Sequence, residues 1–174
     1  MFGLLESVTL NTIYYIGLNI SSKYLNLHAI CYKMNETRPS WEKYFRDLTE
    51  LTSKRSPCKR LQVGCILVND NRIIAQGYNG YLPGAEHEQI MKDGHEIGTV
   101  HAEQNAIADC AKRGVSCNGT TAYITHYPCA NCMKIMCASG IKNVKYINDY
   151  NNDDVVLFFA RVSKVNVTKV SMDV

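Results

Sequence analysis

No stretch of 18 apolar residues occurs in the chain, so no membrane span is predicted. Neither charge dominates. Lys plus Arg number 19 and Asp plus Glu 16, and a net charge of +3 gives no electrostatic case for a nucleic-acid partner. Residues 1–33 contain no arginine, which excludes a mitochondrial presequence. Thr9, Asn11, Thr12 and Asn19 interrupt the apolar run that a secretory signal needs, and no small-residue cleavage site follows. Repeats, low-complexity tracts and, after residue 40, interdomain linkers are also absent. What remains is 174 residues, 46% hydrophobic and 20% charged, enough for one packed domain with a short appendage. Cysteine, by contrast, is plentiful at eight residues, two of them spaced as Cys129-x-x-Cys132 behind a proline. Without a secretory signal, that pattern favours a reducing compartment and a metal over a disulfide framework, and a cytoplasmic location is expected.

The first 33 residues differ from the rest, with Glu6, Lys23 and Lys33 as their only full charges. They are expected to be an N-terminal extension, and Met34 is a second candidate start for the domain, which is assigned to 34–174. The alternative is a genuine extra element packed on the domain. From Pro39 the pattern is regular. Ser40 is a candidate N-cap for a helix from Trp41 to about Ser53, whose stripe Trp41, Tyr44, Phe45, Leu48 and Leu51 is expected to face the core. Val63–Val68 and Arg72–Ala75, joined by Asn69-Asp70-Asn71, predict a hairpin. A polar loop to about Thr99 follows, then a helix His101–Arg113 capped by Gly114, a strand Thr121–Thr125 and a helix Pro128–Ser139 ended by Gly140. Val144–Ile147 (strand), Asp153–Arg161 (helix) and Val165–Val170 (strand) complete the chain. Strands alternating with helices after a hairpin predict an α/β fold with a mixed sheet.

Two segments carry the chemistry. His101-Ala102-Glu103 opens one predicted helix and Pro128-Cys129-Ala130-Asn131-Cys132 the next. Proline suits a first helical turn, where its missing N–H has no partner. Cysteines three apart project from one face, and a helix N-terminus favours the thiolate that binds metal. With His101 they form a three-ligand Cys2His set, which leaves one position open and so marks a catalytic zinc site rather than a structural one. Two thiolates cancel the charge of Zn2+, so the metal acidifies water less than an all-histidine site would, and a carboxylate must take the proton. Glu103, two residues from a ligand, is the candidate. Hydrolytic attack on an electrophilic ring carbon follows, with Glu103 carrying the proton to ring nitrogen and then to the departing amine. A lone Cys-x-x-Cys also fits a redox pair or half of a structural zinc site, and a lone His-x-Glu carries almost no information. The two halves together form the signature of zinc-dependent nucleobase deaminases.

Beyond that signature, the chain resembles the deoxycytidylate (dCMP) deaminase family. The matching stretches are Arg38-Pro39-Ser40-Trp41, Gln62-Val63-Gly64, Gly77-Tyr78-Asn79-Gly80, His101-Ala102-Glu103-Gln104-Asn105-Ala106, Tyr127-Pro128-Cys129-Ala130-Asn131-Cys132, Gly140-Ile141-Lys142 and Asp149-Tyr150. The resemblance spans about Met34 to Val170. It implies a three-layer α/β/α cytidine-deaminase-like fold with a mixed central sheet of about five strands. It further implies hydrolysis of dCMP to dUMP and ammonia for thymidylate synthesis, with His101, Cys129 and Cys132 as zinc ligands and Glu103 as proton shuttle. Asn79, Ala102 and Tyr150 are the implied substrate-binding residues. Read physically, Asn79 is either a ligand contact in a glycine-flanked turn or a plain turn residue, and Tyr150 either a pocket wall or a surface aromatic.

Many members are hexamers activated by dCTP and inhibited by dTTP, so a homo-oligomer and Mg2+ with a dNTP effector are expectations too. A second, structural zinc in relatives points to Cys58, His87 and His95 as candidate ligands. Glu88 and Glu96, however, stand where bacterial members often have cysteine, and Gly98 where relatives often have arginine. Lys54, Arg55, Lys59 and Arg60 face either a nucleotide phosphate or solvent. His126 is a candidate for the pocket rim. Cys31, Cys65, Cys110, Cys117 and Cys137 lack ligand spacing, and His28 receives no role. Three alternatives stay open: a tRNA adenosine deaminase, a deaminase of cytidine, dCTP or a riboflavin precursor, and a non-catalytic zinc module. The weak positive charge and the Gly-Tyr-Asn-Gly turn with its long loop count against the first, and the intact Glu103 against the last.

Overall fold

The computed structural model describes residues 38–93 and 95–171, without the side chain of residue 95. The expectations for residues 1–33, including His28 and Cys31, and for the start at Met34 lie outside the described residues. All described elements belong to the compact unit Ser40–Val174.

Helix α1 (Trp41–Ser53) begins where Ser40 Oγ accepts the Lys43 N–H at 3.1 Å. The hairpin β1 (Gly64–Asn69) and β2 (Arg72–Tyr78) turns through Asp70 and Asn71, both at positive φ (46° and 59°), the conformation that a two-residue hairpin turn requires. Short strands β3 (Gly80–Tyr81), β4 (Met91–Lys92), β5 (His95–Glu96) and β6 (Thr99–Val100) follow, then α2 (Ala102–Arg113), β7 (Thr121–His126), α3 (Ala130–Ala138), β8 (Asn143–Asn148), α4 (Asp154–Ser163) and β9 (Asn166–Lys169). The main sheet has the order β2-β1-β7-β8-β9, antiparallel on the hairpin side and parallel from β7 to β9.

Alternation in β1 builds three layers. Cys65 and Leu67 face α2, α3 and α4 in a core with Ala102, Ala106, Ala122, Ile124, Met133, Met136, Val144 and Val156. Ile66 and Val68 face the other way, onto Phe45 of α1 with Tyr123 and Val170. This is the α/β/α architecture expected, with five strands in its main sheet.

Three expectations change. The α1 stripe is rotated: Phe45 is buried, but Trp41, Tyr44 and Leu51 are 45%, 42% and 66% exposed. Thr49, Thr52 and Ser53 are buried instead, their hydroxyls donating to the carbonyls of Phe45, Leu48 and Glu50. Small residues let α1 sit so close to the sheet that a Cβ on Gly64 would lie 2.4 Å from the Thr49 carbonyl oxygen. Secondly, α3 starts two residues later than expected. The Cys129 thiol acts as the N-cap by accepting the Cys132 N–H, so Pro128 precedes the cap rather than occupying the first turn. Thirdly, the polar loop has structure of its own: β3 pairs with β6 at its base, and β4 with β5 within it.

Candidate active site

The site forms where two helix N-termini converge. His101 is the N-cap residue of α2, with its backbone N–H donating to Gln104 Oε1 at 3.2 Å, and Cys129 is the N-cap residue of α3. The position of α2 depends on a glycine. A Cβ on Gly77 of β2 would stand 2.3 Å from the Ala102 carbonyl oxygen and 2.5 Å from the Ala106 nitrogen, so only the bare backbone lets α2 approach. Asn105 Nδ2 donates to the Tyr78 carbonyl at 2.7 Å and ties the same turn to the end of the strand.

His101 Nδ1 lies 3.3 Å from Cys132 Sγ and 3.7 Å from Cys129 Sγ. The three ligand atoms fall within 4.8 Å of one another, the one such cluster among the described residues. A tetrahedral zinc with bonds of roughly 2.0 Å to nitrogen and 2.3 Å to sulfur needs ligand atoms about 3.5–3.8 Å apart. The donor set and its spacing fit that ion. Cys132 is buried and Cys129 exposed, and the Cys129 thiol is drawn down to about 3, first by the Cys132 thiol donating to it and then by His101 and the Cys132 N–H. The neighbouring Cys129 and burial push Cys132 upward instead. His101 is raised, chiefly by its hydrogen bond to Cys129.

Glu103 lies on the first turn of α2, buried at 4% exposure. Burial is the main reason that its carboxyl is raised above the ordinary range. A carboxyl that readily carries a proton beside a three-ligand metal site is the chemistry of an acid–base shuttle.

A pocket takes in this cluster, lined by His101, Ala102, Glu103 and Cys129 together with Arg60, Gln89, Glu96 and Tyr150. Asn79, Ala102 and Tyr150 therefore all reach it, as does His126, whose ring meets Tyr150 edge-on at 6.1 Å. Asn79 does more than turn the chain. Its Oδ1 accepts the Val63 N–H at 2.8 Å and its Nδ2 donates to the Leu61 carbonyl at 2.9 Å, pinning residues 61–63 as one wall. Of the four basic residues 54, 55, 59 and 60, only Arg60 lines the pocket, with Nη2 3.5 Å from the Tyr150 hydroxyl.

Of the candidates for a second zinc, two have side chains among the described residues. Cys58 Sγ lies 3.7 Å from the Asn79 carbonyl, His87 stacks on Tyr81, and the His95 side chain lies outside the described residues. Cys65, Cys110 and Cys117 are buried, and Cys137 is half-buried against the Phe159 carbonyl. Sequence reasoning missed Gln89, Glu96 and Thr99 as pocket residues. Gln89 and Glu96 sit in the 82–98 loop and Thr99 opens the two-residue strand β6 that follows it, where no periodicity marks an inward face.

Three ligands supplied by two helix ends, with a protonatable carboxyl on the turn after one of them, are the arrangement of a zinc-dependent deaminase rather than of a closed structural site. The family described as the cytidine and deoxycytidylate deaminase zinc-binding region matches residues 39–148. ComE operon protein 2 of Bacillus subtilis is 41% identical over 140 residues, covering 78% of this chain and 74% of that protein. A deoxycytidylate deaminase of Schizosaccharomyces pombe is 37% identical over 131 residues, covering 68% of this chain but only 40% of the yeast enzyme. The structure is similar to that of a dCMP deaminase from cyanophage S-TIM5 in complex with dCMP and dUMP, with a TM-score of 0.68, 34% identity, and coverage of 77% of this chain and 99% of that one. This chain belongs to the cytidine and deoxycytidylate deaminase family, and zinc is its metal.

Proposed function

We infer that the chain is a dCMP deaminase, hydrolysing dCMP to dUMP and ammonia. The observation that carries this reading is the His101, Cys129 and Cys132 cluster with the buried carboxyl of Glu103 beside it, at a pocket that Arg60 also lines. The relatives named above support the choice of substrate.

His101, Cys129 and Cys132 hold the zinc, which when bound supplies the Lewis acidity that makes water nucleophilic at neutral pH. Glu103 takes one proton of the attacking water and delivers it to ring N3, then takes the second from the hydroxyl now on C4 and passes it to the 4-amino nitrogen, so that the C4–N bond breaks, the C4 carbonyl forms and ammonia leaves. The raised affinity of Glu103 for protons suits a group that must accept and release one within each turnover. Val63 and the Asn79-pinned wall border the base, and the α2 backbone at Ala102 forms its floor. Tyr150 and His126 close one side. Arg60 meets the 5′-phosphate, which a cation in the pocket selects against the free nucleoside. We further place the enzyme in the cytoplasm as a homo-oligomer, with dCTP and dTTP as effectors and Mg2+ accompanying the nucleotide. These parts of the reading rest on the family resemblance.

The test is ammonia release by the zinc-loaded full chain from dCMP, set against dCTP, deoxycytidine, CMP and a tRNA anticodon stem-loop, with and without dCTP and Mg2+. Preferred turnover of dCMP is expected, with a rate that responds to dCTP. Release only from the stem-loop, or from nothing despite bound zinc, would overturn the reading.

A further inference from the structure

Glu96 holds an unusual position on the pocket wall. Its Oε1 accepts two backbone amides, from Gly98 at 2.6 Å and Ile90 at 3.2 Å, and so clasps the two arms of the β4–β5 turn. The Ile97 N–H donates to the Ile90 carbonyl at 2.9 Å and completes the clasp. The packing is tight, since a Cβ on Gly98 would lie 3.0 Å from that same Oε1. The second oxygen is different. Oε2 is shut from solvent and has no hydrogen-bond partner among the described residues, although Glu96 lines the pocket. Buried carboxylate oxygens are almost always paired, because leaving one unpaired forfeits its solvation. A lone acceptor beside a ligand pocket points to a donor on the ligand.

The chemistry of the substrate limits which donor that is. An ionised carboxylate only accepts hydrogen bonds. The phosphate is itself an anionic acceptor and is repelled. The 4-amino group reacts, so it belongs with Glu103. In dCMP the remaining donor is the 3′-hydroxyl of the sugar, which lies between base and phosphate, and Glu96 lines the same pocket as the metal-cluster residue His101 and the cation Arg60. The terminal torsion of a glutamate is broad, so a modest rotation can present Oε2 to the pocket while Oε1 keeps its amides.

Resting on the dCMP reading above, we propose that Glu96 is a substrate-recognition residue whose Oε2 accepts a hydrogen bond from the 3′-hydroxyl of the deoxyribose. The clasp and the recognition are then one device: the carboxylate that orders the turn also senses the sugar.

The experiment compares dCMP with 2′,3′-dideoxycytidine 5′-monophosphate as substrates for the zinc-loaded full chain and for Glu96→Ala and Glu96→Gln. Zinc content and thermal unfolding are recorded in parallel. A charge-assisted hydrogen bond corresponds to roughly a 10- to 100-fold preference in kcat/KM of the wild type for the substrate bearing the hydroxyl. Glu96→Ala should lower kcat/KM on dCMP by a similar factor and become indifferent to the hydroxyl. Glu96→Gln keeps an acceptor for the Ile90 and Gly98 amides and should retain only a few-fold preference, which keeps the test decisive if the alanine variant fails to fold. Equal turnover of both nucleotides by the wild type would overturn the proposal. So would variants that lose activity while keeping the wild-type preference, since Glu96 would then act only as a clasp. Failure of the wild type to deaminate dCMP at all would overturn the dCMP reading and this proposal with it.

Discussion

Replacing Gly77 by alanine should damage the active site by pushing α2 off the sheet. The added methyl would stand 2.3 Å from the Ala102 carbonyl oxygen and 2.5 Å from the Ala106 nitrogen. Both are backbone atoms of α2, so no side-chain rotation relieves the overlap. Carbon–oxygen contact begins near 3.3 Å, and the helix must withdraw by about 1 Å. Overpacking of this kind costs about 1–3 kcal/mol of stability. The larger effect should be on function, because the displaced turn carries His101 and Glu103. Misplacing catalytic groups by about 1 Å costs on the order of 10²-fold in rate. The assay is kcat with dCMP alongside the midpoint of denaturant unfolding and the rate at which a chelator strips the zinc. The internal control is Gly80→Ala, where the added Cβ would meet Tyr78 and Pro57 side chains at ordinary distances of 3.5–3.7 Å, so stability and kcat should stay near wild type. A Gly77→Ala enzyme with unchanged kcat and zinc retention would refute the claim that this close approach positions the site.

Changing Arg60 to alanine should raise KM for dCMP by roughly 10- to 100-fold while leaving deoxycytidine turnover unchanged, as steady-state kinetics on the two substrates will show. Removing zinc with a chelator should abolish turnover and lower the unfolding temperature, and readdition should restore both. One zinc per chain is expected by metal analysis, and a second equivalent would implicate Cys58, His87 and His95. Burial holds the His126 imidazole below its usual range. The unfolded chain therefore binds a proton that the folded state resists, so this residue's contribution is intact above about pH 6.5 and is lost as pH falls through that value and below. Comparing the acid limbs of unfolding for wild type and His126→Asn should show a smaller loss of stability in the variant.

Much of this was legible in the sequence because local rules and tertiary structure agree. The hairpin around Asp70-Asn71, the Gly114 cap of α2 and the apolar run that becomes β1 each follow from the residues themselves. The metal cluster was equally open to reading, since His101 and the cysteine pair each sit at a helix start whose capping chemistry is local. What was not legible depends on approach distance. The true inward face of α1 is set by small hydroxyl residues pressed against Gly64, a contact that an apolar stripe does not reveal. The recruitment of Arg60, rather than Lys54, Arg55 or Lys59, is fixed by the path of residues 61–63, which Asn79 pins from the bend between β2 and β3. Glu96 joins the wall through the closure of a loop by two-residue ladders, and such short pairings leave no periodic trace.

The central claim is that this chain performs a hydrolytic deamination in which Glu103 moves the proton. The most direct test is turnover of dCMP in 18O-labelled water by zinc-loaded wild type and Glu103→Gln, with the product analysed by mass spectrometry. Wild type should yield dUMP carrying one labelled oxygen at C4 and one equivalent of ammonia. Glu103→Gln should bind the same zinc, fold as well, and turn over at least about 10²–10⁴-fold more slowly. A Glu103→Gln enzyme as fast as wild type, or a wild type that binds zinc and leaves dCMP unchanged, would contradict the account.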